Sequence, residues 1–309
     1  MKIRSLGFVI KHHQPEAAAL AVELGKLVLD RGVQVVFADE SAPVARLLAS
    51  VNAEKKSKKK TAGKSARLKI VAKPRLVDEC DLILVLGGDG TYLSIARLMK
   101  SRSVPVVGVN MGQLGFLTEI KRSEAKETLE KLLNGERPLI SERALIEVTV
   151  RRNGRVVFQG PVVNDAVISK GAIARIIGLE ISVDEKWVYD VRADGLIVST
   201  PTGSTAYSLA AGGPIVEPSL PALILAPICP HSLTQRPIVL PDRSKIQIRL
   251  KHRPGHVLLT LDGQDVVDLK EDDVVSIQKF RKHALKLISA PSRDYFGLLR
   301  EKLKLGSRD

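Results

Sequence analysis

A glycine-rich run, Gly87-Gly88-Asp89-Gly90-Thr91, follows the apolar stretch Leu82–Leu86 and precedes residues with helical spacing. Glycines let the backbone approach a phosphate group, and the N-terminus of a helix attracts negative charge. The run therefore predicts a phosphate-binding loop. A carboxylate placed there, Asp89, can accept a proton from an attacking hydroxyl group or hold Mg²⁺. The alternative is that Asp89 only caps the helix, since Asp is favoured at that position.

A second run of small and hydroxyl-bearing residues, Thr200–Tyr207, follows the apolar stretch Leu196–Ser199. Its hydroxyl groups and exposed amides could bind phosphates or the edge of an adenine ring. The alternative is an ordinary turn, capped by Ser or Thr, before a short helix at Ser208–Ala211. Two such loops in one chain favour a nucleotide site.

Two polar residues, Asn164 and Asp165, interrupt the apolar stretch Val162–Ile168. Neighbouring residues of a regular strand face opposite sides, so one of the pair would point into the core unless the backbone bends here. An amide beside a carboxylate can recognise a base edge and a ribose diol. The alternative is a plain turn between two short strands. Asp262-Gly263-Gln264 is interpreted first as a hairpin turn.

Neither a metal site nor a P-loop is predicted. The six histidines lack the spacing of zinc-enzyme motifs, and Cys80 and Cys229 are too far apart for a CxxC pair. Gly63-Lys64-Ser65 looks like the end of a P-loop, but Lys58 stands where that motif requires glycine and no strand precedes it.

The first half of the chain alternates apolar stretches with helical ones. Strands are predicted at Ser5–Ile10, Val33–Phe37, Leu82–Leu86 and Val104–Val109, and helices at Pro15–Asp30, Thr91–Lys100 and Ser123–Leu133. This alternation predicts an α/β domain with a doubly wound, mostly parallel sheet over residues 1–141. Residues 54–69 lack apolar periodicity and are interpreted as a basic surface insertion.

The second half carries many short β-type stretches separated by turn signals. Asn153-Gly154 and Asp262-Gly263 each stand between such stretches, and these dipeptides are strong hairpin signals. We predict a mostly antiparallel β domain over residues 142–288. Residues 289–309 are predicted to contain a helix, Asp294–Leu305, whose apolar stripe must pack on something, and we expect it to pack back on the first domain.

Charge and composition narrow the class of protein. The 309 residues carry a formal charge of +14, but eight basic residues lie within 54–69 against Glu54 alone, and nine lie beyond residue 278 against three acidic ones. Such runs are usually solvated surface, although a nucleic-acid contact is the alternative. Aromatic residues are only 4% of the chain and do not interleave with the basic ones, which argues against nucleic-acid binding.

The sequence predicts a cytoplasmic protein that does not enter a membrane. The apolar run near the N-terminus is too short for a signal peptide, and no stretch approaches the roughly 20 apolar residues that a membrane span needs. Two widely separated cysteines fit a reducing compartment.

Taken in order, these motifs resemble those of one family, the NAD kinases. The resemblance extends from about Asp81 to the C-terminal helix and rests on several segments: Gly87–Thr91, Gly108–Thr118, Asn164-Asp165, Asp194–Gly213, Pro227–Leu233 and Leu261–Gln264. The Gly-Gly-Asp-Gly element alone is shared with diacylglycerol kinases, sphingosine kinases and phosphofructokinases. The later segments are specific to NAD kinases.

The resemblance implies an enzyme that transfers a phosphoryl group from ATP, accompanied by Mg²⁺, to the 2′-hydroxyl of the adenosine ribose of NAD. It implies that NAD lies in an interdomain cleft and that the chain forms a homodimer or homotetramer. By motif, Asp89 would be the catalytic base, and Gly87, Gly88, Gly90 and Thr91 would form the phosphate-donor loop. The implied NAD-binding residues are Asp89, Gly90, Phe116, Asn164, Asp165, Asp194, Thr202, Thr205 and Tyr207, with Arg192 and Gln264 as further candidates.

The chain departs from the family pattern in two places. Many members carry Glu where this chain has Asp165, one methylene shorter, and the basic insertion at 54–69 is longer than the family requires. Two other functions stay open on the sequence: a lipid kinase that shares the Gly-Gly-Asp-Gly loop, and a nucleic-acid-binding protein that uses the basic insertion.

Overall fold

A computed structural model describes residues 2–57, 67–171, 175–252, 255–290 and 294–304. The helices are α1 (Pro15–Asp30), α2 (Ala42–Ser57), α3 (Leu76–Glu79), α4 (Asp89–Ala96), α5 (Ala125–Leu133), α6 (Tyr207–Ala210) and α7 (Tyr295–Leu303). The strands are β1 (Ser5–Ile10), β2 (Gln34–Ala38), β3 (Leu68–Val71), β4 (Leu82–Gly87), β5 (Val106–Asn110), β6 (Ile120–Lys121), β7 (Leu139–Arg143), β8 (Ile146–Arg152), β9 (Arg155–Val162), β10 (Asp165–Lys170), β11 (Ile177–Val183), β12 (Lys186–Ala193), β13 (Gly195–Ser199), β14 (Ala222–Ile228), β15 (Ile238–Pro241), β16 (Ile246–His252), β17 (Val257–Leu261), β18 (Asp265–Leu269), β19 (Val274–Lys279) and β20 (Leu285–Ser289).

The chain forms two compact units. One contains Met1–Ser141 together with Leu285–Asp309, and the other contains Glu142–Ala284. The sequence placed residues 285–288 with the second domain, whereas β20 pairs in parallel with β5 in the sheet of the first unit. A strand that returns from the far end of the chain leaves no local signal of the sheet that it joins.

The first unit is the predicted α/β domain. Its sheet has the order β3-β2-β1-β4-β5-β20-β7, with β6 beside β5, and the neighbours of β1, β4 and β5 all pair in parallel. All residues of β1 and β4 are buried, as expected for strands covered by helices on both faces. The order reverses direction at β1 and β4, which confirms the doubly wound arrangement.

Six helices and strands of this unit were not predicted, namely α2, β3, α3, β6, β7 and β20. Helix α2 ends in residues 54–57, which we had assigned to the surface insertion, and β3 contains Leu68 and Lys69 from its other end. The polar end of the helix and the half-exposed, four-residue edge strand both lack the apolar periodicity on which the prediction depended. The Gly63-Lys64-Ser65 sequence and most of the insertion lie outside the described residues.

The second unit is the predicted antiparallel β domain. It contains two six-stranded sheets, β15-β14-β13-β10-β17-β18 and β12-β11-β16-β19-β8-β9, whose apolar faces share one core. Both predicted hairpins are present: Asn153-Gly154 joins β8 to β9, and Asp262-Gly263 joins β17 to β18. All four turn residues have positive φ, as the tight turn between twisted strands requires.

The terminal helix α7 belongs to the first unit. Asp294 caps it by accepting a hydrogen bond from the Gly297 amide at 2.7 Å, and Leu298 and Leu299 are buried. Glu301 lines one surface cavity together with Ala19 and Glu23 of α1. Within the described residues, no helix combines the length and the apolar composition needed to cross a membrane.

The two cysteines differ in environment, which gives a test of the fold. Cys80 is buried, and its burial raises the pKa of the thiol to about 12, whereas Cys229 is exposed. We expect one thiol per native chain to react quickly with a disulfide reagent at pH 8 and the second only on unfolding, because the thiolate is the reactive form. Cys229→Ser should abolish the fast phase. Two fast thiols in the native protein would contradict the packing around Cys80.

Candidate active site

Asp89 lies where the phosphate-binding loop was predicted, at the junction of β4 and α4. Gly88 occupies the N-cap position and Asp89 is the first helical residue, so the side chain of Asp89 is not the cap. Strands β4 and β5 end side by side, since Gly87 is in register with Asn110. Ligands of open parallel sheets bind at this carboxyl edge.

The Asp89 carboxylate holds the loop that follows β5. Its Oδ1 atom accepts hydrogen bonds from the Leu117 amide at 3.1 Å, the Thr118 amide at 3.0 Å and the Thr118 hydroxyl at 3.0 Å. Its Oδ2 atom accepts one bond, from the Phe116 amide at 2.8 Å. A carboxylate oxygen offers about two lone pairs, so Oδ1 is saturated and Oδ2 can accept another hydrogen bond.

Buried polar residues support this loop from the β5 side. Asn110 donates through Nδ2 to the Gln113 carbonyl at 2.6 Å and to the Thr118 hydroxyl at 3.2 Å, and its Oδ1 accepts from the Gly112 amide at 2.7 Å. A β-carbon at Gly115 would lie 2.0 Å from Asp89 Oδ1. Gly115 therefore must be glycine for Asp89 and the loop to meet.

The remaining residues of the predicted donor loop divide into two kinds. A β-carbon on Gly87 would lie 2.5 Å from the Thr91 hydroxyl, so Gly87 is required by packing. Gly88 and Gly90 have nothing within 4 Å of such an atom, and Gly90 is exposed. The open side of the loop is therefore at Gly88 and Gly90, beside the N-terminus of α4.

In the second unit, the backbone bends at Asn164, between β9 and β10. The bend resolves the conflict seen in the sequence, because Asp165 is buried while Asn164 is half-buried. Its carbonyl groups are paired: Thr200 donates through its hydroxyl to the Val163 carbonyl at 2.6 Å and through its amide to the Asn164 carbonyl at 2.9 Å. The Ser199 hydroxyl also donates to the Asn164 carbonyl, at 3.1 Å.

The amide side of the bend is held by Asp262, whose role the sequence did not indicate beyond a hairpin turn. Its carboxylate accepts from the amides of Val163 at 2.9 Å, Asn164 at 2.6 Å and Asp165 at 3.3 Å. The Asp262 amide in turn donates to the Asp165 carbonyl at 3.0 Å. An Asp-Gly pair is common in hairpins, so only the fold could show that this carboxylate binds residues almost a hundred positions earlier.

A cavity of about 400 Å³ opens beside this bend, lined in part by Asn164, Asp165, Tyr207, Thr260 and Asp262. Burial is the main cause that raises the pKa of Asp165 from 3.8 to about 7, and the charge of Asp262 adds to it. A hydrogen bond from the Tyr207 backbone acts in the opposite direction. The Asp165 carboxyl therefore changes charge near neutral pH.

The loop after β13 also faces the bend. Thr202–Thr205 form a turn of 3-10 helix, in which a β-carbon on Gly203 would lie 2.2 Å from the Asn164 carbonyl oxygen. The Thr202 hydroxyl is buried and has no hydrogen-bond partner among the described residues. The Thr205 hydroxyl donates to the Thr202 carbonyl at 3.3 Å. An orphaned buried hydroxyl of this kind is a candidate ligand contact.

The structure does not bring every predicted residue together. Asp165 is in register with Ser199 and Ser169 with Gly195, so Asp194 lies at the opposite end of β13 from the bend. Asp194 forms an ion pair with Lys170 at 2.7 Å. Arg192, also near that end, is exposed and its carbonyl accepts from the His231 amide at 2.8 Å. Gln264 is half-buried in the β17–β18 turn, two residues from Asp262.

Comparison with known proteins gives a consistent result over the whole chain. The model of the ATP-NAD kinase N-terminal domain matches residues 6–137, and that of the ATP-NAD kinase C-terminal domain matches residues 163–289. An NAD kinase of Citrifermentans bemidjiense is 44% identical over 307 residues, which cover 99% of this chain and 100% of that protein. An NAD kinase of Syntrophotalea carbinolica is 51% identical over 228 residues, 74% of this chain and 79% of its own length.

Solved structures agree with these relatives. Yeast NADH kinase complexed with NADH superposes with a TM-score of 0.87 at 27% identity, covering 100% of this chain and 90% of that one. An NAD kinase from Archaeoglobus fulgidus in complex with ATP shares the fold, with a TM-score of 0.66 at 22% identity over 96% of this chain and 98% of that one.

Two glycines of the loop after β5 provide a matched test. Gly115→Ala should destabilise the protein by about 1–3 kcal/mol, the range for overpacking, because the new methyl group collides with the Asp89 carboxylate. Gly112→Ala adds the same methyl group where nothing lies within 4 Å and should leave stability close to wild type. Denaturant unfolding and amide hydrogen exchange at Phe116–Thr118 measure both. Equal stability of the two variants would contradict the close contact between Gly115 and the Asp89 carboxylate.

The buried Asp165 carboxyl predicts a pH dependence of stability. Its pKa is 3.8 ordinarily and about 7 in the fold, so between these values the folded chain binds more protons than the unfolded chain. Wild-type stability should then fall as pH rises through this window, by up to on the order of 4 kcal/mol relative to Asp165→Asn. Calorimetry at pH 4.5 and 8 checks it, with Asp268→Asn as the exposed control. Parallel curves for wild type and Asp165→Asn would refute the assignment.

Proposed function

The chain belongs to the ATP-NAD kinase family and is an NAD kinase, and from this premise we propose how its residues transfer the phosphoryl group. The acceptor is the 2′-hydroxyl of the adenosine ribose of NAD, and the donor is ATP. The ribose oxygen forms a bond to the γ-phosphorus while the bond from that phosphorus to the β,γ-bridging oxygen breaks, so that ADP leaves. A ribose hydroxyl is a weak nucleophile, and its proton must be removed as it attacks.

The environment of Asp89 is the observation that supports this mechanism. Three of its four hydrogen bonds use Oδ1, whereas Oδ2 accepts only the Phe116 amide. We assign the base to Oδ2, which can accept the ribose proton while Oδ1 keeps the loop attached. One carboxylate then does two tasks through different oxygens: Oδ1 holds Leu117 and Thr118 of the loop, and Oδ2 accepts the proton.

The second unit supplies the proposed recognition of NAD. Asn164 and Asp165 line a cavity with Tyr207, and we assign them to the adenine edge and the ribose hydroxyls. Thr202 offers a buried hydroxyl without a partner among the described residues, which fits a ligand contact, and Thr205 lies in the same turn. Asp194, Arg192 and Gln264 remain candidates for more distant parts of NAD, since Asp194 lies at the other end of β13.

The donor phosphates are assigned to Gly87–Thr91, with the open approach at Gly88 and Gly90. Bound with ATP, Mg²⁺ would neutralise charge on the transferring oxygens. In the described part of the chain, no group of three or more His, Cys, Asp or Glu side chains could hold a metal ion. We expect the nucleotide phosphates and water to supply most of the Mg²⁺ ligands, which is usual for Mg²⁺ in kinases.

Two further properties are proposed. We expect a homodimer or homotetramer, on the basis of the family resemblance, and light scattering coupled to gel filtration would distinguish these from a monomer. A cytoplasmic location is supported by Cys80 and Cys229, which are both free thiols, the usual state in a reducing compartment.

The choice of acceptor separates this function from that of a lipid kinase with the same loop. The purified enzyme is incubated with labelled ATP and Mg²⁺, together with either NAD or diacylglycerol in mixed micelles. We expect label in the NAD fraction alone. Label transferred to diacylglycerol and not to NAD would overturn the proposal.

The two tasks of Asp89 can be separated by mutation. Asp89→Asn should lower kcat by about 10²–10⁴-fold, the usual contribution of a general base. Thr118→Val removes the hydroxyl hydrogen bond to Oδ1 but keeps the backbone amide bond and leaves Oδ2 unchanged, and should lower the melting temperature with a much smaller loss of kcat. Steady-state kinetics and calorimetry on both variants make the comparison. Near-wild-type turnover in Asp89→Asn, or equal kcat losses in the two, would exclude Oδ2 as the base.

A further inference from the structure

The buried carboxylate of Asp262 binds three successive backbone amides of the bend between β9 and β10. Oδ2 accepts from Val163 at 2.9 Å, and Oδ1 accepts from Asn164 at 2.6 Å and Asp165 at 3.3 Å. Only 7% of Asp262 is exposed, and its φ of 50° belongs to the tight turn after β17. The turn thus places a side-chain anion in a backbone concavity of a kind that can bind anionic ligands.

The same bend is tied on its other side by Ser199 and Thr200. Their amide and hydroxyl groups donate to the carbonyls of Val163 and Asn164, at 2.6 to 3.1 Å. The backbone of the bend is therefore held from β13 and from the β17–β18 turn at once. Its polar side chains, Asn164 and Asp165, remain to line the cavity.

Charge couples the two carboxyl groups of the cavity. The lining contains Asp165, Tyr207 and Asp262 as its titratable side chains, and no Lys, Arg or His. The Tyr207 backbone donates a hydrogen bond to Asp165, which favours its charged form, whereas burial and the charge of Asp262 oppose it and raise the pKa of Asp165 to about 7. Without a cation in the cavity lining, the charge of Asp262 acts directly on its neighbour.

We infer that Asp262 is a positioning residue for the nucleotide acceptor: its carboxylate fixes the bend that directs Asn164 and Asp165 into the cavity, and its charge acts on the Asp165 carboxyl. This inference rests on the proposed function, because the cavity is assigned to the adenosine of NAD. Asp262 needs no contact with the substrate for this role. Substitution should therefore affect acceptor binding more than the chemical step.

Asp262→Asn removes the charge and one of the two accepting oxygens while keeping the size of the side chain. The KM for NAD should rise about tenfold, since hydrogen bonds to a charged group are lost, while kcat and the KM for ATP change much less. Steady-state kinetics with each substrate varied in turn measures this split. Asp268→Asn, the same substitution at an exposed site on β18 of the same hairpin, is the control and should leave all three constants unchanged.

A pH series provides the readout that a purely structural role would not move. In the wild type, the KM for NAD and the melting temperature should both change slope near pH 7, where Asp165 titrates. In Asp262→Asn the slope change should move to lower pH in both curves, because the neighbouring negative charge is gone. Asp262→Glu keeps the charge, so both curves should still change slope near neutral pH. The longer side chain should nevertheless raise the KM for NAD.

The outcomes separate the possible failures. The inference is wrong if Asp262→Asn lowers only the melting temperature, while the KM for NAD and the pH at which both curves change slope stay as in the wild type. If Asp262→Asn does not fold, Asp262→Glu decides, and wild-type KM values in it would overturn the inference. If the wild type phosphorylates no NAD, the proposed function fails, and the melting curves still test the coupling of Asp262 to Asp165.

Discussion

The four hydrogen bonds to the Asp89 carboxylate are the constraint on which the proposed catalytic end of the first unit depends. They join the first residue of α4 to Phe116–Thr118, and so connect the loops that follow two adjacent parallel strands. Gly115 is needed because a side chain there would occupy the space of that carboxylate. The proposed base, held in this way, needs little rearrangement when the substrate arrives, which is the advantage of preorganised polar groups.

The second unit applies the same principle at the proposed recognition site for NAD. Its bend at Asn164 is held by Asp262 through amides and by Ser199 and Thr200 through carbonyls, so the backbone polar groups of the bend have protein partners. Because the backbone polar groups of the bend are already hydrogen-bonded, its side chains can point at a ligand without competing local hydrogen bonds. In each unit, an aspartate that binds backbone amides fixes the loop that carries the proposed functional groups. Asp89 is half-buried and Asp262 is buried.

Local patterns predicted most of the elements, and long-range contacts account for what was missed. Strand β1 and helix α1 match their predicted bounds because their apolar periodicity is strong. The Lys-rich end of α2 and the short edge strand β3 lack that signal. Strand β20 and the carboxylate of Asp262 depend on partners far away in sequence, which no local pattern encodes. The NAD assignment came from the family resemblance, whereas phosphate handling followed from the strand, glycine loop and helix.

The most direct test of the account is the identity of the product formed from NAD and Mg-ATP. Mass spectrometry should show one added phosphoryl group, and an NADP-specific dehydrogenase should reduce the product, which places the phosphate on the adenosine 2′-oxygen. A phosphorylated product that the dehydrogenase does not accept, or no product at all, would contradict the claim that Asp89 acts on that hydroxyl.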